Sequence, residues 1–313
     1  MKKNEILVSV VIPTYSRNIT LTRAIDSVLT QTYKNLEVIV VDDNPPESEW
    51  RKSTEQIMEK YASNPMIRYV QNTKNLGGSG ARNEGIKVAK GEYIAFLDDD
   101  DEYFPEKIEK QLDCFLTTDL HKLALVFCDA VMTYDNDKFV CYIKSHYRGC
   151  CLYDAMVNNC LAATSQWLAK KEALLDVGMF TVVPCKQDST LILKLLVKGY
   201  EVDCVPEVLS RYCNYQGGRL SDITEKRLLG EKLYMNACRK YFSRLSASQI
   251  ENIEFVFSTR KYEVYKAMKM NKEGRGEIKK LLKIDRKKCI TYLMKRKIGM
   301  LKYHLKKRIL YKK

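Results

Sequence analysis

The sequence lacks any apolar run of the roughly 18 to 20 residues that a membrane-spanning helix needs. Its first apolar run, ILVSVVI at positions 6–12, is followed by proline and polar residues, so it is too short for a secretory signal. The 11 cysteines include no CxxC pair, which disfavours a zinc site, and without an export signal they are expected to stay reduced. We therefore expect a cytoplasmic protein.

Acidic residues are scarce at the end of the chain. Residues 272–313 contain 17 basic and 3 acidic side chains, whereas the preceding 271 residues contain 36 of each. The net charge of +14 thus belongs to this basic tail, where lysines and arginines alternate with apolar residues at broadly helical spacing. Such a helix could bind an anionic membrane, pack on the domain with its charges in solvent, or attract nucleic acid. The rest of the chain shows no nucleic-acid-binding motif, so we expect no nucleic-acid partner.

Short apolar runs rich in β-branched residues alternate with amphipathic stretches through the first half of the chain. This alternation predicts an α/β fold with a mostly parallel sheet flanked by helices. We expect Pro13 to stop the first strand, residues 77–80 to form a loop, and residues 271–276, with two glycines, to break the chain before the basic tail. Four runs are predicted to be strands: residues 6–12, 37–41, 67–70 and 93–97.

Carboxylates directly follow two of these predicted strands. Asp42 and Asp43 end the second, and four consecutive aspartates at 98–101 end the fourth. Ligands of open α/β sheets bind at the carboxyl ends of the strands, where both groups would lie. Adjacent aspartates repel one another unless a positive charge lies among them, and a hard cation such as Mg²⁺ or Mn²⁺ would supply it. The alternative is a solvated acidic turn at the start of the next helix.

Three segments in sequence order carry a family resemblance: SVVIPTYSR, SVLTQTYKNLEVIVVDDN and NLGGSGARNEGIKVAKGEYIAFLDDDDEYFPEKIEKQ. Together they resemble the family-two inverting glycosyltransferases of GT-A fold that build bacterial polysaccharides. The likeness continues more weakly to about residue 220. It implies the following organisation: a GT-A domain at 1–223, made of a nucleotide-binding half (1–115) and an acceptor half (116–223), then a helical extension (224–313) that includes the basic tail.

The resemblance also assigns residues to the donor site. Residues 98–100 match the DxD motif, in which Asp100 would ligate Mg²⁺ or Mn²⁺ and Asp98 would face the ribose and the metal. Arg82 could instead form a structural ion pair with Asp43 or with an aspartate at the end of the fourth strand. Arg219 could contact phosphate or be a solvated loop arginine. The full set of donor-binding residues implied is Pro13, Thr14, Tyr15, Asp43, Asn75, Gly77, Gly78, Arg82, Asp98, Asp99 and Arg219.

A transfer with inversion needs a base for the proton of the acceptor hydroxyl. In the resembled family this base is an acidic residue at the start of a helix, and Asp188 occupies that place here, after Lys186 and Gln187. The alternative is that Asp188 only stabilises the helix N-terminus. A bound metal ion would neutralise the charge that develops on the leaving nucleotide diphosphate.

The sequence therefore predicts an inverting, metal-dependent hexosyltransferase. It would move a sugar from a nucleotide-sugar, UDP-linked, to a hydroxyl of a glycan or lipid-linked glycan during cell-surface polysaccharide biosynthesis. The basic tail would hold it at the inner face of the cell membrane. One alternative is a nucleotidyltransferase, but the glycine-rich loop expected after its first strand is absent from PTYSRNITL. Another is a catalytically inactive, membrane-attached scaffold of glycan assembly.

Overall fold

The computed structural model describes residues 3–17, 19–134, 137–158, 161–214 and 225–310. The chain divides into two compact units, residues 1–218 and 219–313.

Nine strands among the described residues form one sheet in the first unit. Their order across the sheet is β3-β2-β1-β4-β8-β6-β9-β5, and β7 pairs with β6 beside that path. The strands are β1 Val8–Thr14, β2 Leu36–Asp42, β3 Ile67–Gln71, β4 Tyr93–Phe96, β5 Glu102–Tyr103, β6 Leu123–Tyr134, β7 Phe139–Ile143, β8 Leu168–Lys170 and β9 Glu201–Asn214.

Helices connect these strands. They are α1 Leu21–Leu29, α2 Glu49–Glu59, α3 Gly77–Val88, α4 Lys107–Thr117, α5 Leu152–Asn158, α6 Lys171–Asp176 and α7 Gln187–Val197. A short 3₁₀ helix, Thr164–Gln166, precedes β8.

The four strands β3, β2, β1 and β4 are mutually parallel, and the rest of the sheet is mixed. Strand β1 lies in the middle of the parallel part, and Val8, Val10 and Ile12 are fully buried. A strand covered on both faces needs a continuous apolar run, which is the pattern that the sequence shows. The predicted α/β class is confirmed. The carboxyl ends of β1, β2 and β4 meet at one edge, and this edge positions the candidate site.

The prediction that Pro13 ends the first strand is wrong. Strand β1 continues to Thr14, and Pro13 pairs in register with Val41 of β2. On the opposite side β4 pairs with β1 only as far as Val11. An amide hydrogen at position 13 would point to the side where β4 has already ended. Proline lacks this hydrogen, so the sheet loses no hydrogen bond at Pro13.

The predicted loop at 77–80 and the predicted chain break at 271–276 are also wrong. Helix α3 begins at Gly77, within the predicted loop, because a buried carboxylate binds the amides at its start. Helix α10, Asn271–Ile284, runs through the predicted break at 271–276. The chain turns earlier, at Lys269, whose φ is 59°.

The second unit contains α8 Glu225–Arg239, α9 Ala247–Ala267, α10 and α11 Arg286–Leu310. The first part of the basic tail packs on α9: Leu281 and Cys289 are buried against Phe255. Ion pairs join the same helices, including Lys261 to Glu277 at 2.7 Å. The first part of the tail is therefore a helix packed within the second unit. None of the described helices combines the length and apolar composition that crossing a bilayer requires.

Candidate active site

The four aspartates that follow β4 differ in their exposure. The side chains of Asp98 and Asp100 are 31% and 14% exposed, whereas Asp99 and Asp101 are buried. The four aspartates form a tight turn, in which the amide of Asp101 donates to the carbonyl of Asp98 at 3.0 Å, and the turn directs their carboxylates to different sides. Two carboxylates of the run thus face the open edge of the sheet, and two face the protein interior.

The inward pair anchors the acidic run to its neighbours. Thr14 Oγ1 donates to Asp99 Oδ2 at 2.8 Å, and Ser165 Oγ donates to Asp101 Oδ2 at 2.6 Å. The backbone amide of Cys213 donates to Asp101 Oδ1 at 3.0 Å. Burial, and then the charge of Asp100, raises the pKa of Asp99 to about 7. Asp99, predicted to bind the donor, is therefore placed against β1 and beneath the open edge.

Two arginines neutralise the outward pair. Arg82 of α3 pairs with Asp98, and its side chain is only 9% exposed. Arg17, just after β1, pairs with Asp100 and lies 3.3 Å from Asp99 Oδ1. Of the alternatives for Arg82, the structure shows the ion pair with an aspartate that follows β4.

Asp43, at the end of β2, organises the turn before α3. Its Oδ1 accepts hydrogen bonds from Asn72 Nδ2 and from the amide of Leu76, and its Oδ2 accepts from the amide of Gly77, each at 2.8 Å. Burial raises the pKa of Asp43, and these hydrogen bonds oppose that effect. Asn75 Nδ2 donates to the Asp43 carbonyl at 3.3 Å. A carboxylate can accept about four hydrogen bonds, so Asp43 retains capacity for one more donor.

Glycine is required at positions 77 and 78, at the start of α3, for two different structural reasons. Gly77 has a φ of +71°, a conformation that other residues adopt at a cost. Gly78 leaves room for the Arg82 guanidinium, because a Cβ on Gly78 would lie 3.1 Å from Arg82 Nη1. The same Cβ would lie 3.4 Å from Gln187 Oε1. Gly78 thus lets Arg82 pass between α3 and α7.

The segment after β1 completes this edge. Pro13 and Thr14 end β1, and Tyr15 beyond them is 51% exposed. The amide of Ser16 donates to Asn44 Oδ1 at 2.8 Å, and the Asp43 amide donates to the Thr14 carbonyl at 2.9 Å. The exposed side chain of Tyr15 therefore lies one residue beyond the end of β1, the strand next to Asp43.

Asp188 lies in the first turn of α7, after Lys186 in a left-handed conformation with φ +68°. Asp188 Oδ1 accepts from the amide and the hydroxyl of Ser189, at 2.7 and 3.2 Å. Its neighbour Gln187 accepts a hydrogen bond from Arg82 Nη1 at 3.4 Å. The start of α7 is thereby tied to the Arg82–Asp98 pair. The predicted phosphate-contacting residue Arg219 lies outside the described residues.

Sequence reasoning missed four residues at this edge: Arg17, Thr164, Ser165 and Gln187. Arg17 could have been suspected, since it is the first cation after β1 and residues 98–101 need a counter-charge. Thr164 Oγ1 lies 3.4 Å from Asp98 Oδ1, and Ser165 Oγ accepts from the Asp98 amide at 3.1 Å. No spacing rule links these hydroxyls to residues some 65 positions earlier.

The donor set fits a hard divalent cation. Asp98 and Asp100 supply carboxylate oxygens, the ligands that Mg²⁺ and Mn²⁺ prefer. No cluster of three or more His, Cys, Asp or Glu suited to a metal occurs in the part of the chain that the structure describes. Mg²⁺ commonly binds through one or two carboxylates together with substrate phosphates, so a two-carboxylate site is chemically sufficient.

Comparisons with known proteins identify the family of this chain. The sequence profile of the family Glycosyl transferase family 2 matches residues 9–149. A protein of Escherichia coli, UDP-Glc:alpha-D-GlcNAc-diphosphoundecaprenol beta-1,3-glucosyltransferase WfaP, is 33% identical over 193 residues, which cover 62% of this chain and 71% of WfaP.

Two solved structures share the fold. One is Staphylococcus aureus TarS residues 1–349 in complex with UDP-GlcNAc, with a TM-score of 0.56, 19% identity and 82% coverage of both chains. The other is the mannosyltransferase PcManGT of Pyrobaculum calidifontis in complex with GDP-Man and Mn²⁺. Its TM-score is 0.58 at 16% identity, covering 94% of this chain and 80% of PcManGT. The chain belongs to glycosyl transferase family 2, and the resemblance found in its sequence is confirmed.

Proposed function

We propose that this member of glycosyl transferase family 2 is an inverting, metal-dependent hexosyltransferase that uses a UDP-linked sugar donor. The observation that carries the proposal is the placement of Asp98 and Asp100. Both carboxylates face the open edge of the sheet, each beside an arginine, next to the glycine turn of α3. This combination of hard oxygen ligands and cations suits a nucleotide diphosphate with its metal.

The nucleotide would lie against the ends of β1 and β2. Asp43 is held rigidly by three donors and keeps one acceptor position, which suits the N3–H of uracil. The exposed Tyr15 directly follows Thr14, whose carbonyl accepts a hydrogen bond from the Asp43 amide. WfaP is named as a user of UDP-Glc, which supports UDP as the carrier, whereas PcManGT was solved with GDP-Man.

The diphosphate would lie over the outward aspartates. Asp98 and Asp100 would hold Mg²⁺ or Mn²⁺, which when bound neutralises the charge that develops on the leaving diphosphate. Arg17, with 36% of its side chain exposed, can turn from Asp100 toward a phosphate oxygen. Arg82 is buried and keeps Asp98 oriented.

Asp188 would act as the base. Its Oδ2 accepts no hydrogen bond from the residues that the structure describes, whereas its Oδ1 is bound by Ser189. In the transfer, the acceptor hydroxyl oxygen forms a bond to the anomeric carbon while the bond from that carbon to the diphosphate breaks. The hydroxyl proton passes to Asp188 Oδ2. Attack from the face opposite the leaving group inverts the anomeric configuration.

The acceptor is proposed to be a glycan or lipid-linked glycan in cell-surface polysaccharide biosynthesis. The name of WfaP, whose acceptor is a sugar diphosphoundecaprenol, supports this acceptor class. A membrane-bound acceptor would require the enzyme at the inner face of the cell membrane. The exposed apolar side chains of α11, surrounded by lysine and arginine, suit attachment there.

Calorimetry with UDP and Mn²⁺ tests the proposal. Wild-type protein should bind UDP more tightly with Mn²⁺ than without it, and Asp100→Ala should lose that metal dependence. Asp188→Asn should retain UDP binding and lose at least 100-fold in transfer rate, measured with the best donor from a panel of UDP-, GDP- and dTDP-sugars. No UDP binding with Mn²⁺ would favour the inactive scaffold instead. Wild-type turnover in both variants would refute the assigned roles.

A further inference from the structure

The β6–β7 hairpin of the first unit presents two aromatic side chains to solvent. Phe139 is 54% exposed and Tyr142 is 60% exposed. Their ring centroids lie 5.1 Å apart with planes inclined by 57°. Exposed aromatic rings add no buried apolar area to the free protein, so a contiguous aromatic surface usually serves binding.

A bulge brings the two rings together. Residues three apart in a regular strand face opposite sides of the sheet. Here Thr133 of β6 pairs with Phe139, and Val131 pairs with Tyr142, with a register shift between these pairs. The extra residue on β7 reverses the alternation, so both aromatic rings lie on the face that carries Val131 and Thr133. Bulges that re-aim side chains occur at sheet edges, such as β7, and next to active sites.

Backbone pairing through β9 connects the hairpin to the acidic run. Thr133 also pairs with Cys213 of β9, whose amide donates to Asp101. Arg23 Nη2 lies 3.1 Å from Cys213 Sγ and 3.1 Å from the carbonyl of Asp100. Two strand spacings, about 10 Å, separate β7 from β9.

The chemistry of the hairpin face suits a sugar ring. The C–H groups on one face of a hexose pack against aromatic rings, and its hydroxyls need hydrogen-bonding partners at the edge. Arg211, on the same face, holds Asp137 of the hairpin turn at 2.8 Å. Arg211 is 25% and Asp137 66% exposed, and Arg211 also lies 3.5 Å from Glu102 Oε1.

We propose that Phe139 and Tyr142 form a subsite that stacks a sugar ring of the acceptor glycan. The inference rests on the proposed glycan-directed transfer and adds where the acceptor is held. Phe139 and Tyr142 would position the acceptor without touching the reacting atoms.

Saturation-transfer NMR on the full chain tests the subsite directly, with maltose, cellobiose and N,N′-diacetylchitobiose as probes. Wild-type protein should transfer saturation to the ring C–H protons of at least one disaccharide. The variant F139A/Y142A should lower that transfer at least five-fold, and Tyr142→Phe should keep it because the ring remains. Both side chains are exposed, so the double variant is expected to fold, which circular dichroism verifies.

Tyr134 provides a matched control within the hairpin. It is 37% exposed and, as the neighbour of Thr133, faces the other side of β6. Tyr134→Ala should leave saturation transfer unchanged. Absence of transfer from wild-type protein to all three probes, or equal transfer from F139A/Y142A, would overturn the proposal. UDP–Mn²⁺ calorimetry on the same samples reports separately on the proposed function and should be unaffected by F139A/Y142A.

Discussion

Arg82 of α3 pairs with Asp98, at the end of β4, and the same guanidinium donates to Gln187 at the start of α7. One buried cation therefore connects the glycine turn, the acidic run and the helix that carries Asp188. Displacing the Arg82 side chain should disturb donor binding and the orientation of α7 together.

Replacing Arg82 should lower stability. Arg82→Ala leaves a partly buried Asp98 carboxylate without its cation, so we expect a loss of about 1–3 kcal/mol of unfolding free energy in urea. Arg82→Lys should retain only part of this unfolding free energy, because lysine lacks the branched guanidinium that reaches both Asp98 and Gln187. Lys87→Ala is the control: it breaks an exposed pair with Glu84 and should change stability by less than about 0.5 kcal/mol. Equal losses in Arg82→Ala and Lys87→Ala would contradict the assignment.

Gly78→Ala should weaken donor binding. The added methyl group would lie 3.1 Å from Arg82 Nη1, so the guanidinium would have to shift by a few tenths of an ångström. We expect UDP–Mn²⁺ affinity to fall several-fold in calorimetry. Gly276→Ala, in helix α10 with open space around the new Cβ, should leave affinity unchanged and raise stability by up to about 1 kcal/mol. Unchanged UDP affinity in Gly78→Ala would show that Arg82 tolerates the displacement.

Lys107 should make stability depend on pH. It is fully buried, with its Nζ 2.7 Å from Gln111 Oε1 and 4.0 Å from the centroid of the Tyr103 ring. Burial lowers the pKa of Lys107 from 10.5 to about 8. The unfolded chain therefore holds more protons between pH 8 and 10.5, and stability rises with pH across that window.

The measurement compares Lys107→Met with wild type at pH 7 and 9.5. Wild-type unfolding free energy should increase by about 2 kcal/mol relative to the variant as pH rises. Using the difference between the two proteins cancels the tyrosines and cysteines that titrate in the same range. A parallel pH response of both proteins would show that Lys107 titrates normally.

The exposed apolar residues of α11 should bind an anionic surface. Ile290, Met294 and Ile298 are 40%, 61% and 53% exposed and recur every four residues on one side of the helix. The triple variant I290S/M294S/I298S should lose most of its sedimentation with phosphatidylglycerol vesicles at low salt. Deleting 272–313 would be a poorer test, because Leu281 and Cys289 help to bury Phe255.

The control for this prediction is L229S/L233S. Both leucines are exposed on α8, where the sequence is less basic. L229S/L233S should sediment like wild type. Equal sedimentation of the triple variant and wild type would mean that this side of α11 is not the membrane-binding surface.

Local sequence patterns predicted the structure correctly where a segment's own residues determine its conformation. The apolar run of β1 and the aspartates that follow β4 specified the parallel sheet and the edge where the candidate site lies, since buried strands need continuous apolar side chains. The prediction failed at Gly77, where a helix begins among glycines. There the stabilising group is the carboxylate of Asp43, more than 30 positions earlier in the chain.

The sequence by itself determined the family, the α/β class and which carboxylates cluster at the ends of the strands, because these depend on residues that are neighbours in the chain. Tertiary structure alone decided that Asp99 and Asp101 point inward, that Arg17 and Arg82 neutralise Asp100 and Asp98, and that a bulge places Phe139 beside Tyr142. The aspartate and arginine contacts depend on which distant segments pack together, whereas the bulge depends on how β6 pairs with β7. Charge neutralisation and burial act through space, so their partners cannot be identified from spacing along the chain.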